Sequence, residues 1–210
     1  MRSPSVSTSP ALVRWLSVAD VDPAWHGLLD AGERGRYEVK GSDAERARFL
    51  GAAVLMREVA AELAGCDRAD VGLHRACPDC AEPHGRPVPT GAAAGWHVSA
   101  SHSGLHVLVA GAGRPVGVDV EVVRAAPPSP RLLERVLAKG EAVPADPEAF
   151  AHLWAAKEAY LKAIGTGLAL PMTTVVIEGD DVGLVDGAHP TGRLVRLEAP
   201  LGTVGWLCQL

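Results

Sequence analysis

The sequence predicts an α+β protein built from two similar halves, and three patterns carry this prediction. Apolar residues recur at helical spacing in two long segments, each of which begins at a capping residue and ends at a glycine. Short strand-like segments bounded by turn residues follow each of these helices. The order helix, strands, helix, strands is typical of α+β domains, although the sequence contains no clear internal repeat.

The first helix is predicted to begin after Ser42 and to end at Gly65. Ser42 is followed three residues later by Glu45, which is the pattern of a capping box. We expect residues 12–18 to form a strand before this helix and residues 1–10, which are rich in Ser and Pro, to form a disordered tail. The apolar face of the helix consists of Phe49, Leu50, Val54, Leu55, Val59 and Leu63.

Three strands are predicted between the two helices. The turn sequences Ser-His-Ser-Gly at 101–104 and Gly-Ala-Gly-Arg-Pro at 111–115 separate them, so an antiparallel meander is the simplest topology. The segment 66–95 is rich in Pro, Gly, Cys and His and is predicted to be a long loop with one short strand. The strands are expected at 96–100, 105–110 and 116–122.

The second helix is predicted to begin after Asp146, with Pro147 in its first position, and to end at Gly165. Residues 125–130 contain three prolines and are expected to link the strands to this helical region. Further strands are expected at 173–177, 193–197 and 204–208. We therefore divide the chain into an N-terminal half, 11–115, and a C-terminal half, 116–210.

Composition excludes several classes of function. The 210 residues carry a net charge of −5, which argues against a nucleic-acid binder because no broad basic surface is available. No apolar run resembles a signal peptide or is long enough to cross a bilayer, so we place the protein in the cytoplasm and expect no membrane partner. The four cysteines are too few and too unevenly spread for a disulfide framework.

Two carboxylates alternate with valines in the predicted strand 116–122. The alternation places Asp119 and Glu121 on one face, about 7 Å apart along the strand. Such a face is either solvated or built around a divalent cation, since Mg²⁺ takes oxygen ligands beside substrate phosphates. The spacing alone leaves both interpretations open.

The second helix carries charges on and beside its apolar face. Lys157 falls near the middle of that face, so its ammonium group must be paired or must reach a ligand. Glu158 and Lys162 lie together at the edge, four residues apart. An ordinary surface pair with a snorkelling lysine is the alternative, but one carboxylate beside two amines favours a metal–pyrophosphate site. The apolar face consists of Phe150, Leu153, Trp154, Leu161 and Ile164.

The segments 117–121 (GVDVE) and 154–162 (WAAKEAYLK) resemble the two signature motifs of the 4′-phosphopantetheinyl transferase family. The likeness is to its larger, monomeric type, which activates peptide and polyketide synthases. Ser-His-Ser-Gly at 101–104 and Gly-Arg-Pro at 85–87 also resemble upstream motifs of the family, so the likeness covers roughly residues 48–170. The resemblance implies two pseudo-symmetric α+β halves with the active site in the cleft between them.

The resemblance assigns the metal and catalytic residues to the C-terminal half. Asp119, Glu121 and Glu158 are expected to hold Mg²⁺ beside the pyrophosphate of coenzyme A. Lys162 is expected to stabilise or protonate the departing bisphosphate, and Lys157 to neutralise phosphate. Glu158 is the candidate general base for the attacking hydroxyl, directly or through water.

The same resemblance assigns the nucleotide contacts to the N-terminal half. His102, with Ser101, is expected to contact the 3′-phosphate of coenzyme A. The turn that holds these two residues is also an ordinary polar turn in composition, so the residues alone leave their role open. Arg86 and Arg48 are expected to make further nucleotide-phosphate contacts.

The function implied is transfer of the 4′-phosphopantetheine arm of coenzyme A to a serine of an apo acyl or peptidyl carrier protein, with release of 3′,5′-ADP. The expected partners are coenzyme A and carrier domains of secondary-metabolite synthases. Two alternatives stay open: another Mg²⁺-dependent phosphoryl or nucleotidyl transferase, and an inactive module that binds carrier proteins. No Walker-type glycine loop supports the first.

A cluster of soft ligands lies in the predicted loop, at His74, Cys77, Cys80 and His84. Cys-x-x-Cys is a common half-site for zinc. A complete site would have to form within eleven residues, which is cramped. We therefore expect two free thiols here in preference to a structural zinc ion or a redox pair.

Overall fold

A computed structural model describes residues 10–75 and 85–210 of the chain, and its architecture is α+β, as the sequence predicts. The four α-helices of this part are α1 (Ala31–Glu38), α2 (Asp43–Ala64), α3 (Pro130–Val136) and α4 (Pro147–Ile164). Its strands are β1 (Leu12–Ser17), β2 (Val71–His74), β3 (Val88–Gly91), β4 (His97–Ser103), β5 (His106–Ala112), β6 (Val116–Val122), β7 (Val175–Glu178), β8 (Asp181–Leu184), β9 (Gly192–Leu197) and β10 (Thr203–Gln209).

Two expectations fall largely outside these described residues. Residues 1–9 of the expected tail and three of the four candidate zinc ligands, Cys77, Cys80 and His84, are not among them. Both expectations stay predictions. Cys66 and Cys208 are free thiols.

The strands form two large antiparallel sheets and a small one. The first sheet has the order β1-β5-β4, the second β6-β10-β9-β8-β7, and β2 pairs with β3. The predicted meander is therefore wrong for its third strand, because β6 pairs with β10 and not with β5. The reason is apolar packing: the valines of β6 join Leu108 and Ala110 of β5 in one buried cluster, so β6 packs against the first sheet from the second.

Each large sheet is covered by one long helix. α2 packs on the first sheet through a cluster that includes Met56, Val59 and Val109, and α4 packs on the second through Ala159, Tyr160 and Leu194. The cluster that contains Leu108 and the β6 valines lies between the two sheets. The order of layers is thus helix, sheet, sheet, helix.

The ends of α2 agree with the sequence prediction in part. Ser42 Oγ accepts a hydrogen bond from the Glu45 N–H at 3.2 Å, and Gly65 ends the helix with a φ of 67°. The Glu45 carboxylate, however, binds the Ser42 hydroxyl and not the Ser42 backbone, so only half of the capping box forms. The complete box lies at Asp30 and Glu33, at the start of α1.

Helix α1 has no counterpart in the sequence prediction, because its eight residues carry no apolar periodicity. A buried ion pair holds it in place: Arg57 of α2 donates to Glu33 at 2.7 Å, and Glu33 is 1 % exposed. Tertiary pairing of charges, which is not visible in a local pattern, therefore fixes this helix.

Three further differences lie in strands. Residues 66–95 contain β2 and β3, not one strand, and β8 is absent from the prediction. β4 runs to Ser103, so the residues predicted to form a turn at 101–103 belong to the strand. The turn begins at Gly104, whose φ of 56° favours glycine.

No helix in the described ranges has both the length and the apolar character needed to cross a bilayer. The cytoplasmic location, the monomeric state and the division into two halves at residue 115 stay predictions.

Candidate active site

Asp119 lies on β6 at the junction of the two sheets and is 3 % exposed. Its Oδ1 atom accepts two hydrogen bonds of 2.6 Å, one from Ser101 Oγ and one from Lys162 Nζ. Its Oδ2 atom is buried and has no hydrogen-bond partner in the described part of the chain. Because a buried carboxylate oxygen without a donor is costly, this atom marks a place suited to a cation.

Two further carboxylates share this environment. Burial raises the pKa of Glu121, the charge of Asp119 adds to the rise, and a 3.1 Å hydrogen bond from Ser103 opposes it. Burial also raises the pKa of Glu158, against the pull of Lys162 and with further contributions from Asp119 and Glu121. The three carboxylates are therefore close enough to repel one another.

The Glu158 carboxylate differs from the other two in its bonding. The residue is 7 % exposed, and no described residue donates a hydrogen bond to its side chain. Asp119 and Glu121, in contrast, each hold a serine hydroxyl. Both oxygens of Glu158 are thus available to a proton or to a cation.

Gly117 explains how α4 comes so close to β6. A Cβ atom on Gly117 would lie 2.0 Å from the Ala159 carbonyl oxygen and 2.5 Å from the Ala163 nitrogen. The helix therefore rests on the bare backbone of the strand. This contact brings Glu158 and Lys162, which are one turn apart on α4, to the carboxylate side of β6.

These residues fit Mg²⁺, provided that a substrate completes its ligands. No three His, Cys, Asp or Glu side chains in the described ranges converge as a ready-made metal site. Mg²⁺ is usually held by only one or two carboxylates together with water and substrate phosphates. The free Oδ2 atom of Asp119 and the mutual repulsion of the acids match that requirement.

A group of basic residues lies beside the acids and consists of His102, Arg48 and Lys40. We call it the basic corner. Arg48 donates to the Gly104 carbonyl oxygen at 3.0 Å, which holds its guanidinium at the end of β4. Partial burial lowers the pKa of His102, and the charges of Arg48, Lys162 and Lys40 lower it further. Several cations around one imidazole form a place suited to a multiply charged anion such as a phosphate.

A cavity of about 700 Å³ has Arg86 in its wall. Arg86 joins α4 to β4, because it donates to the Ala163 carbonyl oxygen at 3.2 Å and lies 3.2 Å from His97 Nδ1. Arg75 and Lys162 also line this cavity. It therefore offers three cations at its wall.

A second cavity of about 330 Å³ opens on the other side of the acids. Glu121 lines one end of it, and Leu132, Phe150 and Trp154 provide an apolar wall. Since Lys162 lines the first cavity and Glu121 the second, the acids lie between the two. An extended ligand with a charged end and a less polar end would cross the acid cluster.

Residues 115–193 match the 4′-phosphopantetheinyl transferase superfamily, and this span contains the three carboxylates and Lys162. The chain is therefore similar to this superfamily over those residues. His102, Arg48 and Arg86 lie outside the matched span.

Among curated proteins, the chain is similar to transferases of the superfamily from Bacillus. It is 29% identical to a 4′-phosphopantetheinyl transferase of Bacillus subtilis over 67% of this chain and 62% of that protein. It is 32% identical to the Bacillus subtilis 4′-phosphopantetheinyl transferase ffp over 65% of this chain and 60% of that protein. The 4′-phosphopantetheinyl transferase Sfp of Bacillus subtilis is 36% identical over 36% of each chain. The chain thus spans about three fifths of the length of the first two relatives.

The structure pairs Lys157 with residues other than Asp119, Glu121 and Glu158. Lys157 is fully buried, and its Nζ donates to Glu141 Oε2 at 2.6 Å, to the Val136 carbonyl oxygen at 2.8 Å and to the Met172 carbonyl oxygen at 3.3 Å. An ammonium group has three N–H donors, and all three are used. Of the two sequence interpretations, pairing within the protein is the one observed.

Ser101 lies at the site, where its hydroxyl donates to Asp119, a candidate metal ligand. Its expected contact with the 3′-phosphate stays a prediction. Sequence reasoning also missed Lys40, Arg75 and Ser103. The alternation of serines along β4 could have indicated Ser103, whereas Lys40 and Arg75 lie in segments without a periodic pattern.

Proposed function

We propose that this chain transfers the 4′-phosphopantetheine arm of coenzyme A to a serine hydroxyl of an apo carrier protein and releases 3′,5′-ADP. The observation that carries the proposal is the Asp119 carboxylate: Ser101 and Lys162 hold one oxygen, and the other is buried without a hydrogen-bond partner among residues 10–75 and 85–210. The names of the similar Bacillus proteins state this class of transfer, which we extend to this chain.

The two cavities support a position for coenzyme A across the acid cluster. The basic corner of His102, Arg48 and Lys40 is suited to the 3′-phosphate. The cavity of about 700 Å³, with Arg86 at its wall, is suited to the nucleotide, and the apolar cavity of about 330 Å³ to the pantetheine arm. The pyrophosphate would then lie beside Asp119, Glu121 and Glu158. Two helix-covered sheets with the acids at their junction also agree with two pseudo-symmetric halves.

Mg²⁺, when bound by Asp119, Glu121 and Glu158, would neutralise charge on the pyrophosphate and polarise it. The oxygen ligands are those this cation prefers. Ser101 and Lys162 hold Asp119 Oδ1, so Oδ2 keeps a fixed direction before any ligand arrives.

The chain's own residues account for the movement of the proton and of the charge. The carrier serine oxygen forms a bond to the β-phosphorus of coenzyme A, and the bond from that phosphorus to the bridging oxygen of 3′,5′-ADP breaks. Glu158 accepts the serine proton, since no described residue donates to its carboxylate and burial raises its pKa. Lys162, one turn further along α4, stabilises the negative charge on the leaving group.

The carrier is proposed to be an acyl or peptidyl carrier domain, of the kind used by peptide and polyketide synthases. This assignment follows the motifs at 117–121 and 154–162. We propose that the chain acts on it as a monomer.

Mass spectrometry of an apo carrier domain tests the proposal directly. The protein, coenzyme A and Mg²⁺ are expected to add one phosphopantetheine mass to the carrier, and removal of Mg²⁺ with EDTA is expected to stop the addition. If several apo carriers gain no mass while a known transferase loads them, the proposal fails. Coenzyme A turnover without carrier loading would indicate a different phosphoryl or nucleotidyl transferase, and carrier binding without turnover would indicate an inactive module.

A further inference from the structure

Three serines of β4 reach across the junction of the two sheets to β6. Ser99, Ser101 and Ser103 are two residues apart, so their side chains share one face of the strand. β4 pairs through its backbone with β5, and β6 pairs with β10; no backbone ladder joins β4 to β6 in the described chain. Hydroxyl groups therefore bridge the two strands where a continuous sheet would have peptide hydrogen bonds. We call these three residues the serine seam.

Ser103 has a double role in the serine seam. Its oxygen accepts a hydrogen bond from the Val122 N–H at 3.1 Å, which fixes the hydroxyl relative to the backbone of β6. Its single proton goes to Glu121 Oε2, also at 3.1 Å. One carboxylate oxygen of Glu121 is thereby tied to the strand, and the other stays available to a ligand.

Ser99 is a natural comparison for Ser103. It lies on the same face of the same strand, and its oxygen accepts a hydrogen bond from the Val118 N–H at 3.1 Å. Its contact with β6 is therefore of the same kind and length. The described contacts give Ser99 no carboxylate partner, so the two serines differ in that respect.

We propose that Ser103 is a positioning residue that holds the Glu121 carboxylate in the direction required for Mg²⁺ and pyrophosphate, beside Asp119. The inference rests on the proposed function, because it assumes that the acids serve as metal ligands. A glutamate side chain has three rotatable bonds, and holding one of its oxygens lowers the entropy lost when the other binds a cation. Hydrogen-bond partners of metal ligands typically contribute 10- to 100-fold to metal affinity.

Direct binding of Mn²⁺, measured by the electron paramagnetic resonance of the free ion with and without coenzyme A, tests this role. Ser103→Ala is expected to weaken Mn²⁺ binding by roughly 10- to 100-fold. Ser103→Thr, which keeps the hydroxyl, is expected to restore affinity to within about threefold. Ser99→Ala removes the equivalent backbone bridge and is expected to leave Mn²⁺ affinity at the wild-type value.

Kinetics provide a second measurement. The Mg²⁺ concentration for half-maximal transfer is expected to rise in Ser103→Ala by the same factor as the Mn²⁺ dissociation constant, while the KM for coenzyme A at saturating Mg²⁺ stays close to wild type. If Ser103→Ala fails to fold, Ser103→Cys replaces it, because a thiol of similar shape is a weak donor and should weaken Mn²⁺ binding at least about tenfold.

Two results overturn the inference: wild-type Mn²⁺ affinity in a folded Ser103→Ala or Ser103→Cys protein, or an equal loss in Ser99→Ala. Either would reduce Ser103 to a structural bridge between the strands. Failure of the proposed function gives a different result: wild-type protein would then bind Mn²⁺ with the dependence on Ser103 described above but would load no carrier.

Discussion

Two lysines of α4 form ion pairs of the same length in opposite environments. Lys157 Nζ and Glu141 Oε2 are 2.6 Å apart, as are Lys162 Nζ and Asp119 Oδ1. The Lys157 side chain is completely buried and its three donors are used. The Lys162 side chain is 26 % exposed, and its partner Asp119 keeps one oxygen to which no described residue donates. The length of an ion pair therefore does not indicate whether the pair stabilises the fold or forms part of a binding site.

The difference lies in what each pair leaves available. The Lys157 pair closes a gap between α4, the end of α3 and the segment at Met172, and it has no capacity for a ligand. The Lys162 pair holds an acid whose second oxygen, together with Glu158 and Glu121, can accept a cation. Saturated pairs of this kind stabilise a fold, and unsaturated pairs provide a site.

The largest expected effect comes from Glu158→Gln at the unsaturated pair. Loss of the proposed general base is expected to lower kcat for carrier loading about 10³-fold, equivalent to about 4 kcal/mol, with a small change in the KM for coenzyme A. The free energy of unfolding, measured in EDTA, is expected to stay the same or to rise, because the substitution removes a buried charge that Asp119 and Glu121 repel. Carrier-loading kinetics and urea denaturation measure the two quantities.

Glu148→Gln serves as the control for this prediction. Glu148 lies in the first turn of the same helix with its side chain 62% exposed, so its substitution should leave kcat unchanged. A Glu158→Gln enzyme with wild-type kcat would remove Glu158 from the chemistry.

The second effect is on stability, at the saturated pair. Lys157→Met is expected to lower the free energy of unfolding by about 3 kcal/mol, because Glu141 and two carbonyl oxygens lose their donor. The KM for coenzyme A of the folded enzyme should not change. Urea denaturation and kinetics measure these quantities, and Lys139→Met, at an exposed lysine, is the control. A raised KM without a loss of stability would restore Lys157 as a phosphate ligand.

The third effect is on substrate binding, at the basic corner. His102→Ala is expected to raise the KM for coenzyme A about tenfold, equivalent to about 1.4 kcal/mol, and to leave kcat nearly unchanged. With dephospho-coenzyme A, which lacks the 3′-phosphate, the wild-type and variant enzymes should have similar KM values. If the substitution raises the KM for both substrates equally, His102 does not contact the 3′-phosphate.

The smallest effect concerns pH and a histidine away from the acids. His152 Nδ1 accepts a hydrogen bond from Trp206 Nε1 at 3.0 Å, and burial, followed by the charge of Arg196, lowers the pKa of His152 below its ordinary 6.5, with Glu148 opposing. The unfolded chain therefore binds the proton first, so this stabilisation is present above pH 6.5 and is lost as the pH falls through the folded-state pKa.

Urea denaturation at about pH 7.5 and pH 5.5 measures this loss. Wild-type protein is expected to lose more stability between these values than His152→Gln, which can still accept the tryptophan hydrogen bond but does not titrate. His189→Gln provides the control. Equal losses in wild type and His152→Gln would assign the pH dependence to other groups.

Local patterns predicted the helices and strands that form the body of the fold. Ser42 and Gly65 mark the ends of α2, and Asp146, Pro147 and Gly165 mark those of α4, because caps and left-handed glycines act within one turn. The α+β class follows from these elements. Helix α1 was not predicted, because a long-range ion pair with Arg57 holds it. The strand that pairs with β6 was not predicted either, because strand pairing depends on apolar faces that meet only in the folded chain.

The site could be predicted to a similar extent. The motifs indicated Asp119, Glu121, Glu158 and Lys162, and the structure brings these four side chains together. Periodicity placed Lys157 on an apolar face and so required a partner, but it could not choose between Glu141 and a phosphate. That choice depends on a segment 16 residues away in sequence.

Gly117 has a consequence for how this site can vary. Because the Ala159 carbonyl oxygen would lie 2.0 Å from any Cβ at that position, the separation of the helix from the strand is limited by main-chain atoms on both sides. Changes in the surrounding core can tilt or loosen side chains, but they cannot bring the two elements nearer. The distance from Asp119 to Glu158 and Lys162 of α4 is thus at its lower limit. A side chain at position 117 can only increase it.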